Sequence, residues 1–194
     1  IMIAASIGPY GAALADGSEY RGDYRVPARD LFAFHEDRLR LLDESAVDVL
    51  ACETIPSYIE AQVLGELLEH VQTPAWVSFS CPDGDVISDR TPIEEAVDLY
   101  LGHWRVLAVG VNCTPPQYVD ALIGKIRKTL PDKAIVVYPN SGERYDGTTH
   151  TWSGTATATE WAEAARRWTA AGASLVGGCC RTGPEHIQAI AGSL

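Results

Sequence analysis

"VLAVGVNC", residues 106–113, is an unbroken apolar run that stops on an asparagine and a cysteine. Its apolar residues do not alternate with polar ones, the pattern of a strand covered on both faces in a parallel sheet. The same kind of run recurs as "IMIAAS" (1–6), "VDVLACE" (47–53), "AWVSFS" (75–80), "AIVVYPN" (134–140) and "SLVGGCC" (174–180). Between these runs, residues 27–43, 56–71, 91–102, 115–129 and 157–171 carry helical spacing, and 183–192 make a last short helix. Thr91 reads as an N-cap with Pro92 at the first helical position, Gly172 closes the helix before it, and Pro184 sits near the start of the last one. Strand–helix units follow one another without a composition break or linker, so residues 1–194 read as one α/β domain with a parallel sheet.

A doubly wound sheet and a (β/α)-barrel both fit that alternation, and the loops favour the barrel. Unusual residues follow nearly every run: Gly8-Pro9-Tyr10 and "GAALADGSEYRGDY", Glu53-Thr54, "CPDGD", Asn112-Cys113, Asn140-Ser141-Gly142 and Cys179-Cys180. A barrel brings all its strand C-termini to one rim, whereas an open sheet collects ligands mainly at a switch point. The count is short of the eight strands a closed barrel of this kind requires. Either two units precede Ile1 or the sheet stays open, and a start directly inside an apolar run favours the first.

Composition excludes several partners. At 46% hydrophobic and 21% charged, the 194 residues can build one sizeable core. The net charge is −11 and the fifteen Lys and Arg are scattered, which argues against nucleic acid. No apolar stretch reaches the roughly 18–20 residues that span a bilayer, and the start lacks a basic signal-peptide region, so the chain reads as cytoplasmic. Oligomeric state is not legible. Five cysteines, an odd number, argue for reduced thiols or metal ligands over a disulfide framework.

Cys113 and the Cys179-Cys180 pair each end a run. If both runs point to one rim, three sulfurs meet despite 66 residues between the first and the second. Three thiolates form a soft set for Zn²⁺ with a fourth position left open, the pattern of a catalytic site. Gly177 and Gly178 would let the backbone turn so that neighbouring cysteines face one ion. Small apolar fillers at a strand end are the alternative on spacing alone. Cys52 and Cys81 stay outside the site, and none of the histidines has ligand spacing to the cysteines. His35, His70 and His103 are expected on the surface, His150 in a loop and His186 in the last helix. Trp152, Trp161 and Trp168 read as packing groups, and "DGDVISD" at 83 lacks the pattern of a calcium loop.

"VGVNC" (109–113) and "VGGCCRTGPEHI" (176–187) together resemble the zinc-dependent homocysteine S-methyltransferases, in which one Cys after a strand and a Cys-Cys pair after the last strand hold zinc. "SIGPYGAALADGSEYRGDY" (6–24) and "VVYPNSGERYD" (136–146) resemble the branch that uses S-methylmethionine or S-adenosylmethionine. The resemblance implies a (β/α)8 TIM barrel, of which residues 1–194 cover about strands three to eight, without the first two strand–helix units. It also implies zinc on Cys113, Cys179 and Cys180, and homocysteine and a sulfonium methyl donor as substrates.

Such an enzyme needs its substrate thiol as thiolate, because the thiolate is the nucleophile. Within the resemblance, Glu53 matches the acid that binds the homocysteine ammonium; read alone, it is equally a helix N-terminal acid. Asn112 and Asn140 are candidates for the amino-acid ends of either substrate or for the zinc ligands. Tyr10, Tyr20 and Tyr24, among Asp16, Glu19 and Asp23, suit a sulfonium cation, with a solvated loop as the alternative. Arg181 reaches a substrate carboxylate or neutralises the thiolates. Competing functions are a non-catalytic zinc-binding or regulatory module, a betaine- or methyl-folate-dependent transferase, and a redox protein using Cys179-Cys180.

Overall fold

The computed structural model describes residues 1–142, 144–146, 151–154 and 157–194, with residues 144–146 and 151–153 given as backbone only. Strands β1 (Ala4–Ile7), β2 (Val49–Ile55), β3 (Ala75–Phe79), β4 (Val106–Asn112), β5 (Ala134–Tyr138) and β8 (Leu175–Val176) form one parallel sheet in that spatial order. A short antiparallel pair, β6 (Arg144–Asp146) and β7 (Thr151–Ser153), interrupts the sequence between β5 and β8. The helices are α1 (Tyr10–Leu14), α2 (Ala28–Asp43), α3 (Tyr58–Leu68), α4 (Ile93–Asp98), α5 (Val119–Thr129), α6 (Ala158–Ala171) and α7 (Pro184–Ala191).

Because spatial order follows chain order, every crossover steps the same way, and right-handed crossovers then place the helices on one face. That face is built by alternate strand residues: Ile7, Leu50, Cys52, Val77, Phe79, Val109, Val111, Ile135 and Val137 are buried in one core. Leu64, Leu68, Tyr100, Leu122, Ile126, Trp161 and Trp168 complete that core from the helices and the turn after α4. Trp161 and Trp168 pack edge to face at 5.7 Å, which accounts for two of the three tryptophans read as packing groups; the side chain of Trp152 lies outside the described residues.

The expected (β/α)8 barrel does not form. The sheet is open and curled into a half-barrel, with β1 and β8 as its edges. A barrel closes only when its terminal strands pair with one another. Among the described residues β1 pairs with β2 alone, and β8, two residues long, with β5 alone. The expectation of strands covered on both faces holds for the central strands β2, β3 and β4, which are buried at most positions of both faces, and fails at the edge, where β1 alternates exposed and buried. The second face carries Ser6, Glu53, Trp76, Ser78, Asn112 and Tyr138, and register sets these side by side: Ala51 faces Ser6 and Trp76, and Asn112 faces Tyr138.

Element ends follow local chemistry with one shift. Thr157 caps α6 in a reciprocal box with Glu160, and Gly172 ends it at φ 118°. Pro184 opens α7. Thr91, expected as an N-cap, lies one residue too early: Pro92 occupies that position without a side-chain cap, and the Thr91 carbonyl accepts from Ile87 N at 2.9 Å. No helix among the described residues is long and apolar enough to cross a membrane.

Gly110 sits where β5 leaves no room for a side chain on β4, because a Cβ there would lie 1.7 Å from the Val136 carbonyl oxygen. Gly110→Ala is therefore expected to lower unfolding free energy by about 2–3 kcal/mol, read as a lower urea midpoint at unchanged m-value.

Candidate metal centre

The site lies where β2, β4 and β8 end. Cys113 follows β4 directly and is buried, with a left-handed backbone at φ 48°. Its sulfur lies 2.7 Å from Cys179 Sγ and 3.7 Å from Cys180 Sγ, and all three sulfurs fall within 4.8 Å of one another. All five cysteines are free thiols. Ligand sulfurs about 2.3 Å from a tetrahedral ion stand about 3.8 Å apart. The Cys113–Cys180 spacing has that value already, and an all-sulfur set of three suits a soft divalent ion with one position left for a further ligand.

The expected role of the glycines is only half right. Neither Gly177 nor Gly178 has a positive φ; the left-handed turns fall on Cys113 and on Arg181, at φ 65°. Gly178 is needed because a Cβ would sit 2.5 Å from Thr182 Oγ1, whereas Gly177 has ordinary room beside Tyr138. The pair is held by backbone bonds instead: Cys179 N donates to the Pro139 carbonyl at 2.8 Å, and the Cys180 carbonyl accepts from Ser141 N at 3.0 Å.

Asn112 ties this cluster to the rest of the rim. Its Oδ1 accepts from Thr54 N at 2.7 Å and Ser78 Oγ at 2.8 Å, while Nδ2 donates to Thr54 Oγ1 at 2.7 Å and points at Cys179 Sγ at 3.9 Å. Thr54 has φ 61°, a conformation that costs a β-branched residue roughly 1–2 kcal/mol, and these two bonds offset that cost. Glu53, just before it, accepts from Ser6 Oγ at 2.6 Å and from the Tyr138 hydroxyl at 2.9 Å. Tyr138 in turn accepts from Trp76 Nε1 at 3.0 Å and sits 2.6 Å from Ser78 Oγ. Burial, then the charge on Glu53, pushes the Tyr138 phenol far up, so it stays a neutral donor.

The three thiols share charge unequally. Hydrogen bonds from Cys113 and then Cys179, with a smaller one from Tyr20, hold the Cys180 thiol well below its ordinary value. The same bonds, through Cys179 first and then Cys180, push Cys113 up. The three thiols lie close enough to titrate as one coupled set, and Cys180 is the most exposed of them. Cys52 and Cys81 belong to the core; burial raises Cys52 to about 12 and Cys81 further.

The remaining candidates divide. Tyr20 reaches the cluster, its hydroxyl 3.8 Å from Cys180 Sγ. Tyr10 packs instead on Phe34 at 5.1 Å and Tyr24 at 5.5 Å. Arg181 follows the cysteine pair with its side chain exposed. Asn140 donates its backbone N–H to the Thr114 carbonyl at 3.1 Å, and its Oδ1 is buried with no hydrogen-bond partner among the described residues.

Two histidines expected on the surface are buried. His35 donates to Glu60 Oε1 at 2.7 Å, both side chains being fully buried, and His103 Nε2 meets the Gly65 carbonyl at 3.0 Å. His70 is exposed, His186 is buried in α7 with Nδ1 accepting from Gly183 N at 2.9 Å, and His150 lies outside the described residues. Glu60 also takes Tyr10 N at 2.7 Å and the Tyr24 hydroxyl, which anchors the long rim loop to α2 and α3. This anchor and the Trp76–Ser78–Tyr138 bonds were missed because each joins runs far apart in sequence. The available signal was polar residues inside otherwise apolar runs.

A family model described as Homocysteine S-methyltransferase matches residues 1–194. Homocysteine S-methyltransferase YbgG of Bacillus subtilis (strain 168) is 52% identical over 191 residues, covering 98% of this chain and 60% of that protein. Homocysteine S-methyltransferase of Escherichia coli (strain K12) is 43% identical over 194 residues, covering 98% of this chain and 62% of that protein. The metallated crystal form of the homocysteine methyltransferase MmuM from Escherichia coli superposes with a TM-score of 0.86 at 38% identity, over 100% of this chain and 62% of that one. The chain therefore spans about 60% of the length of the curated relatives it matches.

Thiol accessibility gives a direct check. In the folded protein an alkylating reagent is expected to label Cys180 first and to leave Cys52 and Cys81 unlabelled until denaturant is added, read by peptide mass spectrometry. Because the Cys180 thiol is depressed, its labelling falls less between pH 8 and pH 6 than that of a free thiol, and a divalent soft metal protects it.

Proposed function

The chain belongs to the homocysteine S-methyltransferase family, and on that premise we propose that it transfers a methyl group from a sulfonium donor to the thiolate of homocysteine, giving methionine. The donor is S-methylmethionine or S-adenosylmethionine, the metal is Zn²⁺ on Cys113, Cys179 and Cys180, and the reaction runs in the cytoplasm, where thiols stay reduced. The observation that carries this reading is the meeting of three free thiols from two chain segments at the ends of β4 and β8. One domain, residues 1–194, supplies the metal-binding and homocysteine-binding residues.

When bound, zinc supplies the Lewis acidity that keeps the homocysteine sulfur as a thiolate near neutral pH. The three cysteines hold it and make the centre electron-rich. Glu53 receives the homocysteine ammonium: each of its oxygens has one donor, from Ser6 and Tyr138, and each keeps a lone pair for a substrate N–H. Asn112 sets the distance between that carboxylate and the cluster, as it binds Thr54 on one side and faces Cys179 on the other. Arg181 and Asn140 border the cluster for the polar ends of the substrates, and Tyr10 acts at one remove by packing the rim loop.

The transfer itself is an in-line displacement. The thiolate sulfur forms a bond to the methyl carbon as the sulfonium–methyl bond breaks, and two neutral thioethers result. The leaving group needs no proton, so alignment of the two sulfurs about the methyl carries much of the rate.

Stoichiometric zinc and methionine formation with S-methylmethionine are the expected results. Cys113→Ser or Cys180→Ser should remove the metal and lower transfer by at least about 10³-fold. No transfer with any sulfonium, or equal rates with betaine or a methyl-folate, would overturn the reading. Glu53→Gln should raise the KM for homocysteine about 10- to 100-fold with retained zinc, and Tyr138→Phe should raise it several-fold less, by about 3- to 10-fold, both measured by initial rates.

A further inference from the structure

Two segments of the rim enclose a cavity of about 350 Å³. One is residues 8–27, between β1 and α2, and the other residues 80–92, between β3 and α4, so both leave the C-terminal ends of their strands, as the cysteines do. Gly22 lets the second segment and the start of α3 come close: it has φ 66°, and a Cβ there would lie 2.4 Å from the Pro56 carbonyl oxygen and 3.0 Å from Asp89 Cβ. Asp89 braces the contact, its carboxylate accepting from Tyr58 N at 2.6 Å and Thr91 N at 2.9 Å and its own N–H donating to the Pro56 carbonyl at 2.9 Å.

Tyr20 is the wall that cavity and thiol cluster share. Its side chain lines the cavity, and its hydroxyl lies 3.8 Å from Cys180 Sγ. Charges of both signs line the same space. Arg90, at φ 77° with its N–H on the Ile87 carbonyl at 2.9 Å, makes one ion pair among the described residues, at 3.6 Å to Asp83, which leaves guanidinium N–H groups for a ligand. Asp23 accepts from Arg21 Nε at 3.2 Å and keeps lone pairs for a further donor, while Arg21 is tied to the Asp16 carbonyl at 3.1 Å.

We propose that this cavity holds the amino-acid tail of the methyl donor, its carboxylate on Arg90 and its ammonium on Asp23, with the sulfonium against the Tyr20 ring on the way to the cluster. This rests on the methyl-transfer reading and deepens it. A zwitterion matches a wall that carries both signs of charge, where a simple anion or cation meets repulsion from one of them. A volume of about 350 Å³ lies at the low end for ligand pockets, room for an amino-acid tail and not for a nucleoside beside it. A sulfonium has no N–H to donate, so the face of an aromatic ring is what recognises it. One tyrosine side chain spans from the cavity to Cys180, so the tail and the reacting methyl lie at its two ends.

Calorimetric titration of the zinc-loaded chain separates this from the reaction. The probes are S-methylmethionine and trimethylsulfonium, a sulfonium without the tail, on the wild type, Arg90→Gln, Arg90→Lys and Tyr20→Leu. Arg90→Gln should weaken S-methylmethionine binding about 5- to 20-fold and change trimethylsulfonium binding less than about 2-fold, with Arg90→Lys intermediate. Tyr20→Leu should weaken both about 3- to 10-fold. Unchanged zinc content and unfolding midpoint exclude a general loss of structure. No S-methylmethionine binding to the wild type, equal weakening of both probes by Arg90→Gln, or no weakening of either by Arg90→Gln or by Tyr20→Leu overturns the assignment. Methyl transfer by an Arg90→Gln chain with a wild-type KM for S-methylmethionine sinks the subsite and keeps the reaction. Binding that depends on Arg90 without any transfer does the reverse.

Discussion

The amide of Asn112 is the constraint on which the rest of the site depends. Four groups converge on it: Thr54 N and Oγ1 near the end of β2, Ser78 Oγ on β3, and Cys179 Sγ beyond β8. Thr54 N needs an acceptor, which sets the carbonyl end of the amide and thereby turns the N–H₂ end toward the thiol. One side chain thus stabilises a left-handed Thr54, orients Glu53 and faces a metal-binding sulfur. Its burial makes these bonds obligatory, since an amide left unsatisfied there costs about 1–3 kcal/mol.

The two faces of the sheet explain how such a layer is tolerated. Helices cover one face with Ile, Leu, Val and aromatic side chains, and the stability of the half-barrel resides there. The other face carries small residues along the strands and polar ones toward their C-terminal ends. Its polar groups satisfy one another across strands: Ser6 to Glu53, Tyr138 to Glu53, Trp76 to Tyr138 and Ser78 to Asn112. A second buried set, His35, Glu60 and Tyr24, anchors the long rim loop from behind, so that Tyr20 meets Cys180. Framework and site are joined by these bonds more than by sequence proximity.

Much of the fold was legible in the sequence, because apolar runs and helical spacing are local. The runs at 106–113 and 134–140 became β4 and β5 within a residue or two, and Gly172 and Pro184 bound α6 and α7 as their backbone preferences require. Closure was not legible, because a run of residues does not say whether its outer edge finds a partner. His35 was misread for a related reason: a lone histidine at a helical position looks solvated until a glutamate from another helix is placed 2.7 Å away.

By itself the sequence determined that parallel strands alternate with helices and that cysteines stand at two strand ends, since both are statements about order along the chain. Only the tertiary structure decided that three sulfurs from positions 113, 179 and 180 lie within 4.8 Å, that the sheet is open, and that Glu53 and Asn112 share a hydrogen-bonded layer. Those outcomes depend on sheet register and on contacts across 34 to 85 residues, where pairing geometry and the need to satisfy buried polar groups override anything a local pattern encodes.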